Sequence, residues 1–204
     1  MLTLRGTPFL YNGEEIGMRN LYLDDPARFR DILSDWLYAA ETQEFGYAKE
    51  TAVQDAAEFG RDKCRTPMQW RPAPNAGFSP PGVETWLPVH PDYAQGVNVA
   101  DQEADPESLL SFYRRFLRLR RRSPALQLGD YTQLAPEHPH VLAFRRSAPG
   151  QTCLVALNMS PEEQTVELPG SEGARVIFST GGQCEGISPL KLAPHEVWIG
   201  ELPL

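Results

Sequence analysis

Before about residue 124, apolar residues recur at helical spacing after two Asp-Pro pairs. In Asp25-Pro26 and Asp105-Pro106 a helix-capping side chain precedes a proline, which suits the first turn of a helix. Apolar residues follow both pairs at intervals of three and four positions, so each pair predicts an amphipathic helix. These residues are Phe29, Ile32, Leu33, Trp36, Leu37 and Ala40 after the first pair, and Leu109, Phe112, Tyr113, Phe116 and Leu117 after the second. Residues 49–59 predict a further short helix.

The end of the helix after Asp105-Pro106 is rich in arginine. Positive charge suits the C-terminal end of a helix dipole, and Ser123-Pro124 marks the stop. We therefore expect a solvated helix end with no role in RNA contact. The arginines concerned are Arg118, Arg120, Arg121 and Arg122.

Residues 1–11 form a largely apolar run, which is typical of a buried parallel strand. A different pattern follows at residues 61–104, where prolines cluster and exclude regular helix and central strand. This stretch also carries large aromatic side chains, which are rarely placed on solvated loops. It predicts a long, ordered and packed loop, and such loops are often functional. The aromatic residues are Trp70, Phe78, Trp86 and Tyr93.

Beyond about residue 124 the pattern changes to short alternating segments separated by glycine-containing turns. Several short strands with regular turns predict an antiparallel β-sandwich. We therefore place a domain boundary near residue 124. The predicted strands are Tyr131–Leu134, Val141–Arg145, Cys153–Leu157, Thr165–Leu168, Arg175–Phe178 and Val197–Ile199.

Composition and charge argue against several classes of function. The 204 residues carry a formal net charge of −8, and an acidic surface repels phosphates, so we expect no nucleic-acid partner. No secretory leader is visible and no stretch approaches the ~20 apolar residues that cross a bilayer, so we expect no membrane partner. Cys64, Cys153 and Cys184 are odd in number and far apart. This indicates neither a disulfide framework nor a zinc site. We expect reduced thiols in the cytoplasm, no metal and no cofactor.

The adjacent carboxylates Glu14 and Glu15 do not fit a catalytic pair. Neighbours on a strand point to opposite faces, so the two groups cannot both face one substrate bond. We expect one to be buried in a hydrogen-bonded or ion-paired role and the other to face outward.

Arg61 and Arg65 lie close together in the proline-rich loop. Arginine offers a fixed fork of donors that suits carboxylates or sugar hydroxyls, although an ordinary surface arginine is the commoner case. Aromatic residues of the loop could stack on sugar faces, but packing within the loop is their commoner role. The residues alone therefore define no active site.

Three segments carry recognisable motifs. They are Arg5–Met18 (RGTPFLYNGEEIGM), Arg61–Trp70 (RDKCRTPMQW) continued by Asn75–Ser79, and Gln102–Arg115. The first resembles the eighth barrel strand and following turn of α-glucosidases, oligo-1,6-glucosidases and trehalose synthases. The motif at Arg61–Trp70 is similar to the signature of the α-glucosidase branch, and the third segment resembles the last barrel helix. Together they resemble glycoside hydrolase family 13, the α-amylase superfamily.

The resemblance implies an α+β fragment. Residues 1–124 would form the last β/α unit of a TIM barrel, with strand 8, a long ordered loop and helix 8. Residues 125–204 would form an all-β antiparallel sandwich. A complete eight-fold barrel takes at least about 200 residues, so a barrel and a sandwich do not both fit.

The family's catalytic aspartate, glutamate and second aspartate follow barrel strands four, five and seven, so all three would precede Met1. Its Asn-His-Asp and Arg-x-Asp motifs are absent from this sequence. We therefore assign no catalytic residue here. Arg65 and Arg61 match arginines that reach the family's glucose pocket, and Glu14 and Glu15 match its structural pair near the pocket floor. Asn12 departs from relatives, which often carry Tyr or Gln there.

The resemblance implies the C-terminal portion of a retaining α-glucosidase that acts on terminal α-linked glucose of oligosaccharides. We expect this portion to be inactive alone, because the catalytic carboxylates are missing. Two other functions stay open. One is a stand-alone carbohydrate-binding module, and the other is a complementing subunit that docks onto an N-terminal barrel fragment.

Overall fold

The computed structural model describes residues 1–171, 173–182 and 189–203. Its contacts divide the chain into two compact units, which we describe separately. The helical unit is Leu10–Arg114, and the β unit combines Met1–Phe9 with Arg115–Leu204. Cys184 lies outside the described residues.

The helical unit consists of helices and 3-10 turns joined by ordered loops. Its α-helices are α1 (Ile32–Gln43), α2 (Lys49–Phe59), α3 (Val99–Ala104) and the first part of α4 (Leu109–Arg122). Its 3-10 turns cover Glu14–Ile16, Pro26–Arg28, Asp62–Cys64, Pro74–Gly77 and Pro91–Gln95. The predicted helix at 49–59 is confirmed. The loop predicted for 61–104 is ordered, but it ends in a helix that the sequence pattern did not reveal, α3, which Asn98 caps by accepting from the Asp101 amide at 2.9 Å.

Both long helices begin later than their Asp-Pro pairs predict. Asp25 caps only a 3-10 turn, since its carboxylate accepts from the Ala27 amide at 3.0 Å. The chain then passes through an extended residue, Phe29, and Asp31 caps α1. At α4 the capping contact comes from Ser108, whose hydroxyl accepts from the Ser111 amide at 3.2 Å. Turn-forming Asp-Pro pairs and helix caps share the same chemistry, so sequence alone did not separate them.

The apolar positions of α1 are largely exposed. Ile32 is 78% exposed and Trp36 is 65% exposed. The helix instead buries Ser34, Ala40 and Glu41. Packing against this face is close: a Cβ on Gly60 would lie 1.8 Å from the Ser34 hydroxyl oxygen, so only glycine fits there.

Residues 1–11, all of which are described, do not form the predicted strand. A parallel strand needs neighbouring strands for its hydrogen bonds, and none pairs with this stretch in the part of the chain that the structure describes. In the β unit, two buried arginines supply donors instead. Arg120 donates to the carbonyls of Leu2 at 2.6 Å and Gly6 at 2.7 Å, and Arg146 donates to the carbonyl of Thr3.

The prediction of a solvated arginine cluster at the end of α4 is therefore wrong for Arg120, which is 7% exposed. Burial lowers the pKa of both Arg120 and Arg146. Periodicity places Arg120 correctly on the helix but does not show that backbone carbonyls of a distant segment surround it.

The β unit is an antiparallel sandwich, as predicted. Its five-stranded sheet has the order β1-β2-β3-β7-β5 and faces a two-stranded sheet of β4 and β6. Residues of both sheets share one core, which includes Leu154, Trp198 and Leu192. The strands are β1 (Asp130–Leu134), β2 (Val141–Ala148), β3 (Gln151–Asn158), β4 (Gln164–Val166), β5 (Arg175–Ser179), β6 (Leu190–Leu192) and β7 (Val197–Glu201).

Two elements of this unit escaped sequence analysis. Strand β6 has only three residues, and helix α5 (Pro124–Leu128) directly follows α4. Ser123 and Pro124 end one helix and begin the next, with the Ser123 hydroxyl accepting from the Leu126 amide at 3.2 Å. The division into residues 1–124 and 125–204 stays a prediction. It rests on the change of sequence pattern near residue 124 and on the family resemblance, whereas the two units rest on contacts.

Within the described ranges, no helix is long and apolar enough to cross a membrane.

Candidate functional site

A buried carboxylate network holds the start of the Arg61–Trp70 motif. Asp31 accepts from the Arg61 backbone amide and from its Nε, both at 2.8 Å, and from its Nη2 at 2.7 Å. These bonds with the guanidinium hold the pKa of Asp31 well below its usual range. Asp62, also buried, accepts from the amides of Arg30 at 2.7 Å and Asp31 at 3.0 Å. These hydrogen bonds therefore connect the start of the motif to the residues that cap α1.

Arg61 and Arg65 differ in how far their side chains are already engaged. The fork of Arg61 is taken up by Asp31, although the side chain stays 54% exposed. Arg65 is exposed, and its backbone carbonyl accepts from the Trp86 indole at 2.9 Å. Of the two arginines predicted to bind substrate, Arg65 is the one with an open guanidinium, although it interacts with the Tyr11 hydroxyl.

The Tyr11 hydroxyl joins the first motif to the second. It interacts with the thiol of Cys64 and with the guanidinium of Arg65. Partial burial raises the pKa of Tyr11, Cys64 adds to the increase, and Arg65 opposes it. The structure thus brings together residues that lie more than fifty positions apart in the chain.

Glu14 and Glu15 lie in a 3-10 turn, and neither is buried. Glu14 accepts from the Tyr11 amide at 3.0 Å and from the Tyr113 hydroxyl at 3.3 Å. Glu15 accepts from the Gly13 amide at 2.9 Å. The expectation that one of them is buried is wrong, because the stretch is a turn whose own amides both carboxylates satisfy.

The two motifs border a hollow of about 240 Å³. Its wall combines apolar surface with several polar side chains, and an arginine that sequence analysis did not nominate, Arg19, is among them. The lining residues are Tyr11, Asn12, Gly13, Glu14, Met18, Arg19, Asn20, Cys64 and Thr66.

Arg19 belongs to a network centred on Asp92, which is 1% exposed. Asp92 accepts from Arg19 Nε at 2.9 Å and from Gln69 Nε2 at 3.0 Å, and it lies 2.7 Å from His90 Nδ1. Sequence analysis missed both residues, because Arg19 and Asp92 are 73 positions apart and no spacing rule links them.

The aromatic residues of the loop are half-exposed. Phe78 and Trp86 pack edge to face, with ring centroids 5.0 Å apart, and Trp86 remains 51% exposed. Trp70 is 47% exposed. Phe78 and Trp86 therefore pack against each other within the loop, which is the commoner role of such residues. About half of the Trp86 and Trp70 surface stays exposed to solvent.

A larger hollow of about 730 Å³ borders α2. It is lined by residues such as Tyr22, Tyr38 and Val53, and none of the predicted site residues contributes to it. The two motifs meet at the smaller hollow. Across the described part of the chain, no group of three or more His, Cys, Asp or Glu side chains is placed to hold a metal ion.

Comparisons with known proteins agree with the motifs. Residues 1–129 match the family described as "Alpha amylase, catalytic domain", and residues 131–199 match "Maltogenic Amylase, C-terminal domain". A glucan 1,6-α-glucosidase of Streptococcus dysgalactiae subsp. equisimilis is 40% identical over 98% of this chain. An oligo-1,6-glucosidase of Bacillus cereus is 31% identical, also over 98% of the chain.

Solved structures give the same result. The trehalulose synthase of Pseudomonas mesoacidophila MX-45 superimposes with a TM-score of 0.83 at 33% identity, over 98% of this chain and 36% of that one. An isomaltulose synthase from Erwinia rhapontici NX5, in complex with its natural substrate sucrose, gives a TM-score of 0.83 at 31% identity, over 99% of this chain. The chain spans 36% of the length of both glucosidases. With more than half of its residues matched to the catalytic domain and most of the rest to the C-terminal domain, this chain belongs to the α-amylase family and corresponds to its C-terminal region.

Proposed function

We propose that this chain is the C-terminal portion of a retaining α-glucosidase that acts on terminal α-linked glucose of oligosaccharides. The observation that carries the proposal is the meeting of the two family motifs around one hollow, which Tyr11 and Glu14 line from the first motif and Cys64 and Thr66 line from the second. Relatives named glucan 1,6-α-glucosidase and oligo-1,6-glucosidase support the substrate class. In such an enzyme a carboxylate attacks the anomeric carbon of the terminal glucose, while a carboxylic acid protonates the glycosidic oxygen and the remaining sugar leaves as an alcohol. Water, deprotonated by the second carboxylate, then hydrolyses the covalent glucosyl intermediate and releases glucose.

Within that enzyme we propose that Arg65 contributes donors to the substrate. Arg61 then acts mainly by holding the loop, because Asp31 already occupies its fork. Two donors on one rigid fork suit neighbouring sugar hydroxyls, and the chain neighbours of Arg65, Cys64 and Thr66, line the hollow.

We also propose that the chain does not hydrolyse α-glucosides alone. Retaining hydrolysis needs two carboxyl groups about 5–5.5 Å apart on either side of one bond. Glu14 and Glu15 are engaged with Tyr11, Tyr113 and Gly13, and the Asn-His-Asp and Arg-x-Asp motifs are absent from the sequence.

One observation favours a complementing subunit as a second candidate function. Exposed apolar side chains are concentrated in the helical unit, including Ile32 and Trp36 on α1 and Phe45 and Tyr47 after it. Exposed apolar patches of this kind mark docking surfaces. The occupant that we propose is an N-terminal barrel fragment of the same family. We also keep the proposal that the protein acts in the cytoplasm.

Three preparations test these proposals with a chromogenic α-glucoside. They are the chain alone, the chain mixed with the preceding part of the Streptococcus dysgalactiae glucosidase, and a hybrid enzyme in which both parts form one polypeptide. We expect no turnover by the chain alone and turnover by the hybrid. Turnover by the mixture would support the complementing role.

Matched variants make the test specific. In the hybrid, Arg65→Met should lower activity strongly, whereas Arg28→Met, at an exposed arginine away from the hollow, should not. Turnover by the chain alone would overturn the inactivity proposal. An inactive but folded hybrid, together with a saturable fluorescence response of the chain to isomaltose, would favour the carbohydrate-binding module.

A further inference from the structure

Arg19 is held from one side by a buried charge and is open on the other. Its Nε donates to Asp92 Oδ2 at 2.9 Å. The Asp92 side chain is 1% exposed, whereas the Arg19 side chain is 65% exposed. Holding Nε in this way restricts a side chain that otherwise samples many rotamers, so less entropy is lost when the guanidinium binds a ligand.

Asp92 is itself fixed by a buried amide donor and by its contacts with His90, whose Nδ1 accepts from the Asp92 backbone amide at 3.3 Å. Its Oδ1 accepts from Gln69 Nε2 at 3.0 Å, and Gln69, which is 0% exposed, also donates to the carbonyl of Val97. His90 Nδ1 lies 2.7 Å from the same carboxylate. The anchor for Arg19 is therefore a rigid part of the loop.

The remaining donors of Arg19 are available. Among the described residues its Nη1 and Nη2 groups have no hydrogen-bond partner, and the side chain lines the hollow together with Asn12, Asn20 and Thr66. Arg61 shows the opposite arrangement, because its Nε and Nη2 are both engaged by Asp31.

We infer that Arg19 is a specificity-determining residue that donates from its Nη groups to hydroxyls of the oligosaccharide, and that Asp92 is its positioning residue. The inference rests on the proposed α-glucosidase function and adds a contact that neither family motif predicted. The planar fork fits two neighbouring hydroxyls, and the amides of Asn12 and Asn20 offer both donors and acceptors nearby.

The local charge favours a neutral sugar over a phosphorylated one. Asp92 balances the charge of Arg19, and Glu14 adds a carboxylate to the wall of the hollow. A phosphate group would meet no excess of positive charge from Arg19 and would lie near Glu14.

The hybrid enzyme tests this inference through KM. We expect Arg19→Met to raise KM for isomaltose by about tenfold or more, with kcat little changed, since hydrogen bonds from a charged donor are lost. Arg19→Lys should keep the ion pair with Asp92 and the free energy of unfolding. It should still raise KM, because one ammonium group cannot bind Asp92 and also present a planar pair of Nη donors to the sugar. Asp92→Asn should raise KM by a smaller factor, and Arg28→Met should leave KM unchanged.

An unchanged KM in Arg19→Met would overturn the inference while leaving the proposed function intact. If Arg19→Met raised KM for trehalose 6-phosphate and left KM for isomaltose unchanged, the ligand of Arg19 would be an anionic sugar and the inference of a neutral ligand would be wrong. If the hybrid is inactive, the proposed function fails, and NMR decides the role of Arg19. Saturable movement of its Nε–H signal in the 204-residue chain on addition of isomaltose supports a contact, and a static signal refutes it.

Discussion

The β unit and the helical unit bury their apolar residues in different ways. In the β unit, apolar side chains of two sheets meet in one core, where Leu154 and Trp198 are almost fully buried. In the helical unit, Ile32 and Trp36 are exposed, whereas Asp31, Asp62 and other polar side chains are buried. The sandwich core is held mainly by hydrophobic burial, whereas α1 and the loop at Arg61 are held by directed hydrogen bonds. The β unit also uses buried polar side chains, since Arg120 and Arg146 hold the segment at residues 1–9.

This difference matters for function. A core of interdigitated apolar side chains tolerates little change but positions no ligand. A network such as Asp31–Arg61–Asp62 holds a loop in one conformation and leaves neighbouring side chains open to solvent. The candidate site lies in the unit that is built in the second way.

The largest expected effect is in the β unit. Phe144 is 0% exposed and packs against Tyr131, with ring centroids 5.0 Å apart. Phe144→Ala should lower the free energy of unfolding by about 3–5 kcal/mol, because it removes buried area and leaves a cavity. Hydrogen exchange with mass spectrometry would detect faster exchange throughout β2 and β3. Leu128→Ala, at an 85% exposed leucine, is the control and should have little effect.

A smaller effect is expected at the network of the helical unit. Asp31→Asn removes the charge that binds Arg61 and should lower the free energy of unfolding by about 1–2 kcal/mol. The effect is modest because Arg61 is partly exposed and solvent screens its charge. Exchange should increase around α1 and residues 60–65 and not in the β unit. Asp35→Asn on the exposed side of α1 is the matched control.

The lowered pKa of Asp31 also gives this pair a pH dependence. Its contribution should be present above pH 3.8, the ordinary value, and disappear as the pH falls through the lower folded-state pKa. Equal stability of Asp31→Asn and the parent at pH 7 would show that hydrogen bonds do not dominate in this unit.

The buried Glu41 provides a test with the opposite sign. Burial, and secondarily the charge of Asp55, raises its pKa, and its Oε2 has no partner among the described residues. A raised folded-state pKa means that stability falls as the pH rises above the ordinary value of 4.5. Glu41→Gln should therefore melt at a higher temperature than the parent at pH 7, and the difference should shrink toward pH 4.5. Glu44→Gln, at an exposed position, should show no such trend.

The smallest effect on the chain itself is expected at Trp36. Since the side chain is 65% exposed, Trp36→Gln should change the free energy of unfolding by only about 0.5 kcal/mol or less. The same variant should weaken assembly with the N-terminal barrel fragment in a titration followed by light scattering. A large loss of stability in the chain alone would mean that α1 uses its apolar face internally, and the contrast between the units would be weaker than we describe.

Sequence reasoning succeeded where local patterns match local structure. Short apolar runs bounded by Gly-containing turns identified strands such as Val141–Ala148 and Gln151–Asn158, because short apolar runs and turn chemistry are both local signals. It failed at Arg120 and at the start of α1, where a residue's role depends on partners far along the chain.

By itself, the sequence determined the motifs at Arg5–Met18 and Arg61–Trp70, the antiparallel sandwich and the membership in the α-amylase family. The tertiary structure alone decided that Asp31 occupies the fork of Arg61, that Glu14 and Glu15 close a turn, and that Asp92 holds Arg19 beside the hollow. The physical reason is that a hydrogen bond requires two atoms within about 3 Å, and no pattern of spacing encodes which distant residues the fold brings to that distance.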